Sequence, residues 1–227
     1  MITDYNCVSG ATDRHGRRFC LGRFIFCPKP FSPDLVRPFM TVSLQGSLLI
    51  SAHHLRDPNF YRSVVLLLEH SSESAMGLIV NRPTSTTIGK ALAQHDPVNS
   101  IDSPVFCGGP VEQNALFILH NCVTLGTQDQ EISPGLFLAG SETSFDEVVR
   151  KKAPPDRNIQ FRLISGYAGW GAGQLESELA RGDWNILSPS GSLLLDEDPY
   201  GLWEVCMRKL HRITRVLPHD VRNPEWN

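Results

Sequence analysis

Residues 166–176 read Gly-Tyr-Ala-Gly-Trp-Gly-Ala-Gly-Gln-Leu-Glu, and no other stretch leaves the backbone so few alternatives. Its glycines, at 166, 169, 171 and 173, lie between a segment that alternates as a strand (158–164) and one that reads as a helix (174–181) closed by Gly182. Two structures suit that context. Bare backbone N–H groups before a partly positive helix N-terminus can cradle an anion. Alternatively, the glycines permit a tight turn whose Tyr167 and Trp170 pack against a sheet. The second reading is favoured. No Gly-Lys-Ser/Thr is present, and Gln174 stands where a dinucleotide fingerprint needs glycine. Glu176 in the first turn and Glu178 beyond it would complement the helix dipole and repel an anion. No Lys or Arg lies between Arg162 and Arg181. As a candidate ligand or surface site the run offers Tyr167, Gly169, Trp170, Gly171, Gly173 and Gln174.

Strand patterns dominate the surrounding chain. Apolar or alternating runs at 47–52, 62–70, 75–81, 105–107, 116–120, 135–139, 158–164, 184–187 and 192–195 predict strands, with 71–74 as a hairpin loop. Helices are predicted over 87–94, from a capping box at Ser144 and Glu147 to Lys152, over 174–181, and over 199–213 with Leu202, Val205, Cys206, Lys209 and Leu210 along it. Strands outnumber helices and several look like adjacent hairpins, which predicts mixed α+β and not a regular parallel sheet. Residues 1–40 differ: Pro28, Pro30, Pro33 and Pro38 crowd a stretch with little periodicity. This reads as an irregular or disordered leader, or as sequence upstream of a true start at Met40. Residues 214–227 read as a tail.

Charge and cysteine usage narrow the functional classes. The formal net charge is −3. Residues 1–40 hold six basic and three acidic residues, and 207–227 five and two, leaving ten and nineteen between, a middle of −9. An acidic middle opposes a phosphate backbone, so nucleic acid is not an expected partner. No run approaches the ~20 apolar residues of a spanning helix, and the N-terminus has no secretory apolar region, so a cytoplasmic protein is expected. None of the six cysteines forms a C-x-x-C pair; reduced thiols are the default.

Five segments, in order, carry a resemblance: GSLLIS (46–51), DPNFYRSVVLLLEH (57–70), AMGLIVNRP (75–83), VFCGGPVEQNALFILH (105–120) and GYAGWGAGQLESEL (166–179). Together they are similar to the AlgH/YqgE family of bacterial and plastid proteins, over roughly residues 44–205. The resemblance implies one α+β domain, here 41–213. Its bifurcated, mostly antiparallel sheet would curl into a pseudo-barrel with flanking helices. It implies no established enzyme activity. Some members carry a transcriptional-regulator label, yet no helix-turn-helix stands out here. The leader is extra to the pattern, and the sequence after Leu210 departs from it.

Other chemistry-bearing residues form no complete constellation. Asp57, Asn59 and Arg62, in a loop entering a strand, can hold a polar ligand or form a structural salt bridge; the structural reading is favoured. His53 and His54 are adjacent on a strand and face opposite ways. His120 and Cys122 share a face but lack a third ligand, so no metal and no cofactor are expected. Cys107 before Gly108 and Gly109, with His120 downstream, invites a nucleophile reading; a small buried hydrophobe is the commoner role. No G-x-S-x-G elbow exists. No catalytic residue is assigned. A non-enzymatic regulatory or interaction protein with a protein partner is the first expectation. A small-ligand-binding protein or cryptic enzyme is the second, its pocket formed where the glycine run, Gly108 and Gly109 converge with Asp57, Asn59 and Arg62. Direct DNA binding ranks last.

Overall fold

In the computed structural model the described residues are 43–92, 101–123, 129–141, 143–144, 146–148, 159–188, 191–196 and 198–214. The 1–40 leader with Met40, and the tail beyond Thr214, lie outside them. Ten strands are described: β1 (Leu48–Ser51), β2 (Val64–His70), β3 (Ser74–Ile79), β4 (Pro83–Thr87), β5 (Pro104–Cys107), β6 (Val111–His120), β7 (Gln130–Ser133), β8 (Leu136–Leu138), β9 (Phe161–Gly171) and β10 (Trp184–Leu187). Helices α1 (Ile88–Ala91), α2 (Gln174–Ala180), α3 (Gly191–Asp196) and α4 (Leu202–Thr214) accompany them. The sheet runs β10-β1-β2-β3-β9-β6-β8-β7, with β4 on β5 and β5 on β9. Every pairing is antiparallel except β5 with β9. This is the expected α+β, mostly antiparallel sheet. Its described strands do not close into a barrel: β10 and β7 are the two ends of the path.

β9 organises the molecule because it has three partners and only two edges. β6 runs along one edge from Phe161 to Tyr167. On the other, β5 pairs at Ile164 and Ser165 and β3 at Ala168–Gly171. The sheet therefore forks along β9, and Gly108 sits in the crotch. Its N–H donates to Ser165 O at 2.8 Å and its carbonyl accepts from Ile79 N–H at 2.8 Å. No side chain fits there. A Cβ on Gly108 would lie 2.2 Å from Gly166 O, and one on Gly109 2.2 Å from the Tyr167 carbonyl.

This corrects the reading of the glycine run. Residues 166–171 are strand, and the expected tight turn shrinks to 172–173. Glycine inside a strand marks close backbone approach, and at the fork that approach is realised. Four further differences have local causes. β4 and β7 were not anticipated because Pro83–Thr87 has no apolar residue and Gln130–Ser133 only one, so neither shows alternation. Residues 192–195, expected as strand, lie in α3: a short apolar run does not separate strand from helix. The helix at 144 opens one turn earlier, since Ser144 N–H donates to Ser141 Oγ at 3.0 Å. Its continuation to Lys152 and residue 158 lie outside the described residues. The helix expected over 87–94 is shorter, ending at Ala91 with Leu92 as its C-cap. In α4 the buried stripe is Leu202, Trp203, Cys206, Met207 and Leu210, with Val205 and Lys209 half-buried.

Two apolar layers sandwich the sheet. One joins Leu48, Ile50, Leu66, Leu78 and Ile164 to α4 and is pinned by Trp203 Nε1–H donating to Ser51 O at 2.9 Å. The other joins Leu49, Val65, Leu67 and Ile79 to Trp170, Leu175 and Trp184, with Phe60 and Leu55 of the 52–62 loop on top. Burying each such Leu or Ile contributes roughly 2 kcal/mol. A third cluster, around Ile88, Ile118 and Leu163, seats α1.

Candidate functional site

The loop from residue 52 to 62 is built by its own polar groups and by two residues that follow β3. Asp57 Oδ1 accepts from Asn59 N–H at 2.7 Å, and Asp57 O from Phe60 and Tyr61 N–H at 3.0 and 2.8 Å. This is the turn that Asp-Pro-Asn encodes. Asn81 brackets Arg62: its Nδ2 donates to Arg62 O at 3.0 Å and its Oδ1 accepts from Val64 N–H at 2.8 Å. Arg82 donates Nη1 to Asn59 O at 2.6 Å and Nη2 to Tyr61 O at 3.2 Å. Ser63 closes the loop onto β1, its N–H donating to Ser51 Oγ at 2.9 Å.

Held this way, Arg62 adopts φ +50°, a left-handed conformation that favours glycine. Its guanidinium carbon lies 5.1 Å from the centre of the Trp203 ring and 5.6 Å from that of Tyr61. Nη1 donates to Glu204 Oε1 at 3.2 Å, a pair whose side chains are 52% and 41% exposed. His53 meets Trp203 edge-on at 4.7 Å. The salt bridge considered between Asp57 and Arg62 does not form: Asp57 serves its own turn and Arg62 turns to α4.

The glycine run meets this loop through rings. Phe60 stacks on Trp170 at 6.1 Å and meets Trp184 edge-on at 5.5 Å. Both indoles donate to Glu178 Oε2, at 2.9 and 2.8 Å, and Gln174 Nε2 donates to Glu178 Oε1 at 3.0 Å. Gln174 Oε1 accepts from Gly171 N–H at 3.2 Å, and Glu176 pairs with His70 Nε2 at 3.0 Å. The two glutamates are thus occupied within the fold. Trp170 is only 4% exposed. Where the run and the loop meet, Phe60, Trp170 and Trp184 pack against one another. Gly169 and Gly171 are exposed; Gly173, at φ +68°, caps α2 without a side-chain bond.

Gly108, Gly109 and Tyr167 lie at the fork. Tyr167 is half-buried and edge-on to Phe117 at 6.3 Å; burial, and then the Glu112 carboxylate, push its hydroxyl above the usual tyrosine range. Residues 80–82 join fork to loop: Val80 O accepts from the buried Arg162 Nη1, and Arg82 O from Cys107 N–H. Burial lowers the Arg162 guanidinium to about 10, against the opposing pull of Asp198.

Cys107 and His120 are not neighbours. Cys107 pairs with Ser165 on one edge of β9 and His120 with Phe161 on the other. Two strand spacings and four residues of offset separate them by roughly 15 Å. His120 is fully buried, with Nε2 3.0 Å from Asp129 Oδ2 and Nδ1 accepting from Cys122 N–H at 3.2 Å. That acceptor role makes the ring neutral, with its proton on Nε2. His54 turns to Asp183 at 3.4 Å, away from His53. Among the described residues no three His, Cys, Asp or Glu side chains are placed to hold a metal.

The structure adds four residues that the sequence reading did not assign to the loop. Asn81 and Arg82 had a signal, a polar pair directly after an apolar strand. Trp203 and Glu204 had none, being more than 140 residues away.

A family model described as AlgH-like matches residues 48–214. A UPF0301 protein of Myxococcus xanthus is 37% identical over 169 residues, covering 73% of this chain and 90% of that one. One from Shewanella loihica is 37% identical over 173 residues, covering 74% and 91%. The solution structure of AlgH from Pseudomonas aeruginosa superposes with a TM-score of 0.60 at 27% identity, over 82% of this chain and all of that one. A crystal structure of a Corynebacterium diphtheriae protein shares the fold at a TM-score of 0.59 and 21% identity, over 72% of this chain and 85% of that one.

Proposed function

The chain belongs to the AlgH-like family, and from that premise we propose that it is a regulatory or interaction protein that turns over no substrate and engages a protein partner through the 53–62 loop. The observation that carries this reading is Arg62. A left-handed backbone costs a bulky residue about 1–2 kcal/mol, and glycine would adopt it freely. The exposed ion pair returns at most about 1 kcal/mol. Among the described residues Arg62 shares left-handed backbone only with Glu112, at φ +42°, outside glycine. At Arg62 the conformation is held by Asn81 on its own carbonyl and by Arg82 on the carbonyls of Asn59 and Tyr61, and such held strain is a mark of functional positions. Beside Arg62 stands Tyr61, 49% exposed, a residue type enriched in binding hot spots, while the buried Trp203 supports the guanidinium from below.

The sheet, on the same reading, curls toward a pseudo-barrel. Gly46 lies so close to β7 that a Cβ would be 2.6 Å from Ile132 O, which returns that edge toward the start of β1. A cytoplasmic setting fits as well: Cys107 is a free thiol, and among the described residues no helix is long and apolar enough to cross a membrane.

A photo-crosslinking amino acid placed at Tyr61 tests the interaction. Irradiated in cells, it should give discrete adducts with protein. The same residue at Val123, 69% exposed, should not. Silence at 61, or one adduct pattern at both positions, would reject the reading.

A further inference from the structure

We propose that the partner presents a carboxylate of an acidic peptide segment to Arg62, and that Glu204 is an internal placeholder which this carboxylate displaces. The inference rests on the interaction reading above and specifies its chemistry.

The geometry of the guanidinium comes first. Glu204 takes it by one nitrogen, Nη1, at 3.2 Å. Among the described residues no other group accepts a hydrogen bond from Arg62. Arginine binds carboxylates best through two parallel N–H···O bonds, so a one-point contact leaves the stronger mode unused. Trp203 and Tyr61 both lie beside the guanidinium, at 5.1 and 5.6 Å, and fix its position while leaving the pair half-exposed. Glu204 stands in the first turn of α4. Its release therefore unmakes only one exposed contact and leaves the buried stripe of that helix intact.

Charge selects the kind of partner. The loop carries Arg56 and Arg62 against Asp57, with His53 and His54 beside them, inside a middle region of −9. Once it displaces Glu204 from Arg62, a short acidic segment meets Arg56, Arg62 and the Arg82 guanidinium set against Asp57, a local excess of positive charge. A nucleic acid carries its charge far beyond a single loop and would meet the acidic body as well. Exchanging one carboxylate for another keeps Arg62 paired in both states, so neither state leaves its charge uncompensated.

Fluorescence anisotropy with labelled hexaglutamate and the full chain tests the proposal, at low salt and at about 150 mM. Hexaglutamate should bind the wild type, and hexalysine should not bind at this loop. Glu204→Gln, which removes the competitor, should bind hexaglutamate at least about threefold more tightly, the equivalent of one exposed ion pair. Arg62→Gln should weaken binding about tenfold, and Arg62→Lys, which keeps charge but not the fork, should not restore it. Coincident thermal melts would show that each variant is folded, and Glu204→Gln decides the question even without the arginine variants. Unchanged affinity in Glu204→Gln would overturn the placeholder. A short DNA duplex that binds more tightly than hexaglutamate, with the same dependence on Arg62, would overturn the carboxylate. If hexaglutamate fails while the adducts at Tyr61 persist, the carboxylate falls and the interaction surface stands; if both fail, both fall.

Discussion

His120 shows how one buried side chain ties stability to pH. Its ring has no exposed surface. Burial lowers its pKa below the ordinary value of about 6.5, and Asp129, through charge and hydrogen bond, only partly opposes this. Geometry agrees, because Nδ1 is already taken as an acceptor by Cys122 N–H. Protonation would set two donors against each other and loosen a link from the end of β6 to Asp129, whose Oδ1 holds Gly140 N–H at 2.9 Å. The sign follows from linkage. Below about 6.5 the unfolded chain takes up a proton at this position before the folded one does, so stability is full above that value and falls as the pH is lowered. Urea unfolding between pH 7.5 and 5, at roughly half-unit steps chosen to bracket that value, should show a downward slope in the wild type. In His120→Gln this contribution should be missing, whatever the variant's overall stability. Equal slopes would remove His120 as the source.

At the scale of elements, β9 turns a glycine run into a fork. Gly108 and Gly171 are both glycines of family-matching motifs, but they have opposite surroundings. A Cβ at 108 would sit 2.2 Å from Gly166 O and 2.6 Å from Ile164 Cγ2, whereas one at 171 meets nothing within 4 Å. Gly108→Ala should therefore destabilise by about 3 kcal/mol or more, since backbone cannot yield as a side chain can. Gly171→Ala should stay within about 1 kcal/mol of the wild type, or gain slightly. Denaturant midpoints of the two variants decide this; similar losses would contradict the fork as the reason for the glycines. The same contrast explains what could be read from sequence. β1, β2, β3, β10 and α2 announce themselves by apolar runs and by Gly182. β4 and β7 carry almost no apolar residue and exist through pairing with distant strands. The loop at Asp57, Asn59 and Arg62 was legible because Asp-Pro-Asn is local turn chemistry. Its closure by Asn81 and Arg82, and the turning of Arg62 toward Trp203 and Glu204, depend on contacts up to 142 residues apart. The glycine run misled because glycine permits a tight turn and a crowded strand alike.

In the whole molecule Arg62, which shares left-handed backbone with Glu112 among the described non-glycine residues, adds little to a fold assembled for stability. Two apolar layers, a forked sheet and an amphipathic α4 hold the structure without it. Replacing Arg62 with glycine relieves a left-handed strain of about 1–2 kcal/mol. It forfeits two cation–π contacts, with Trp203 and Tyr61, of about 0.5–1 kcal/mol each and an exposed ion pair of at most about 1 kcal/mol, and it adds about 0.4–1 kcal/mol of chain entropy to the unfolded state. These terms largely offset one another. The central claim, that this arginine is kept for a partner and not for the fold, is tested most directly by the global unfolding free energy of Arg62→Gly in urea. A value within about 1 kcal/mol of the wild type is expected, while a loss beyond about 2 kcal/mol would make Arg62 a structural residue and contradict the claim.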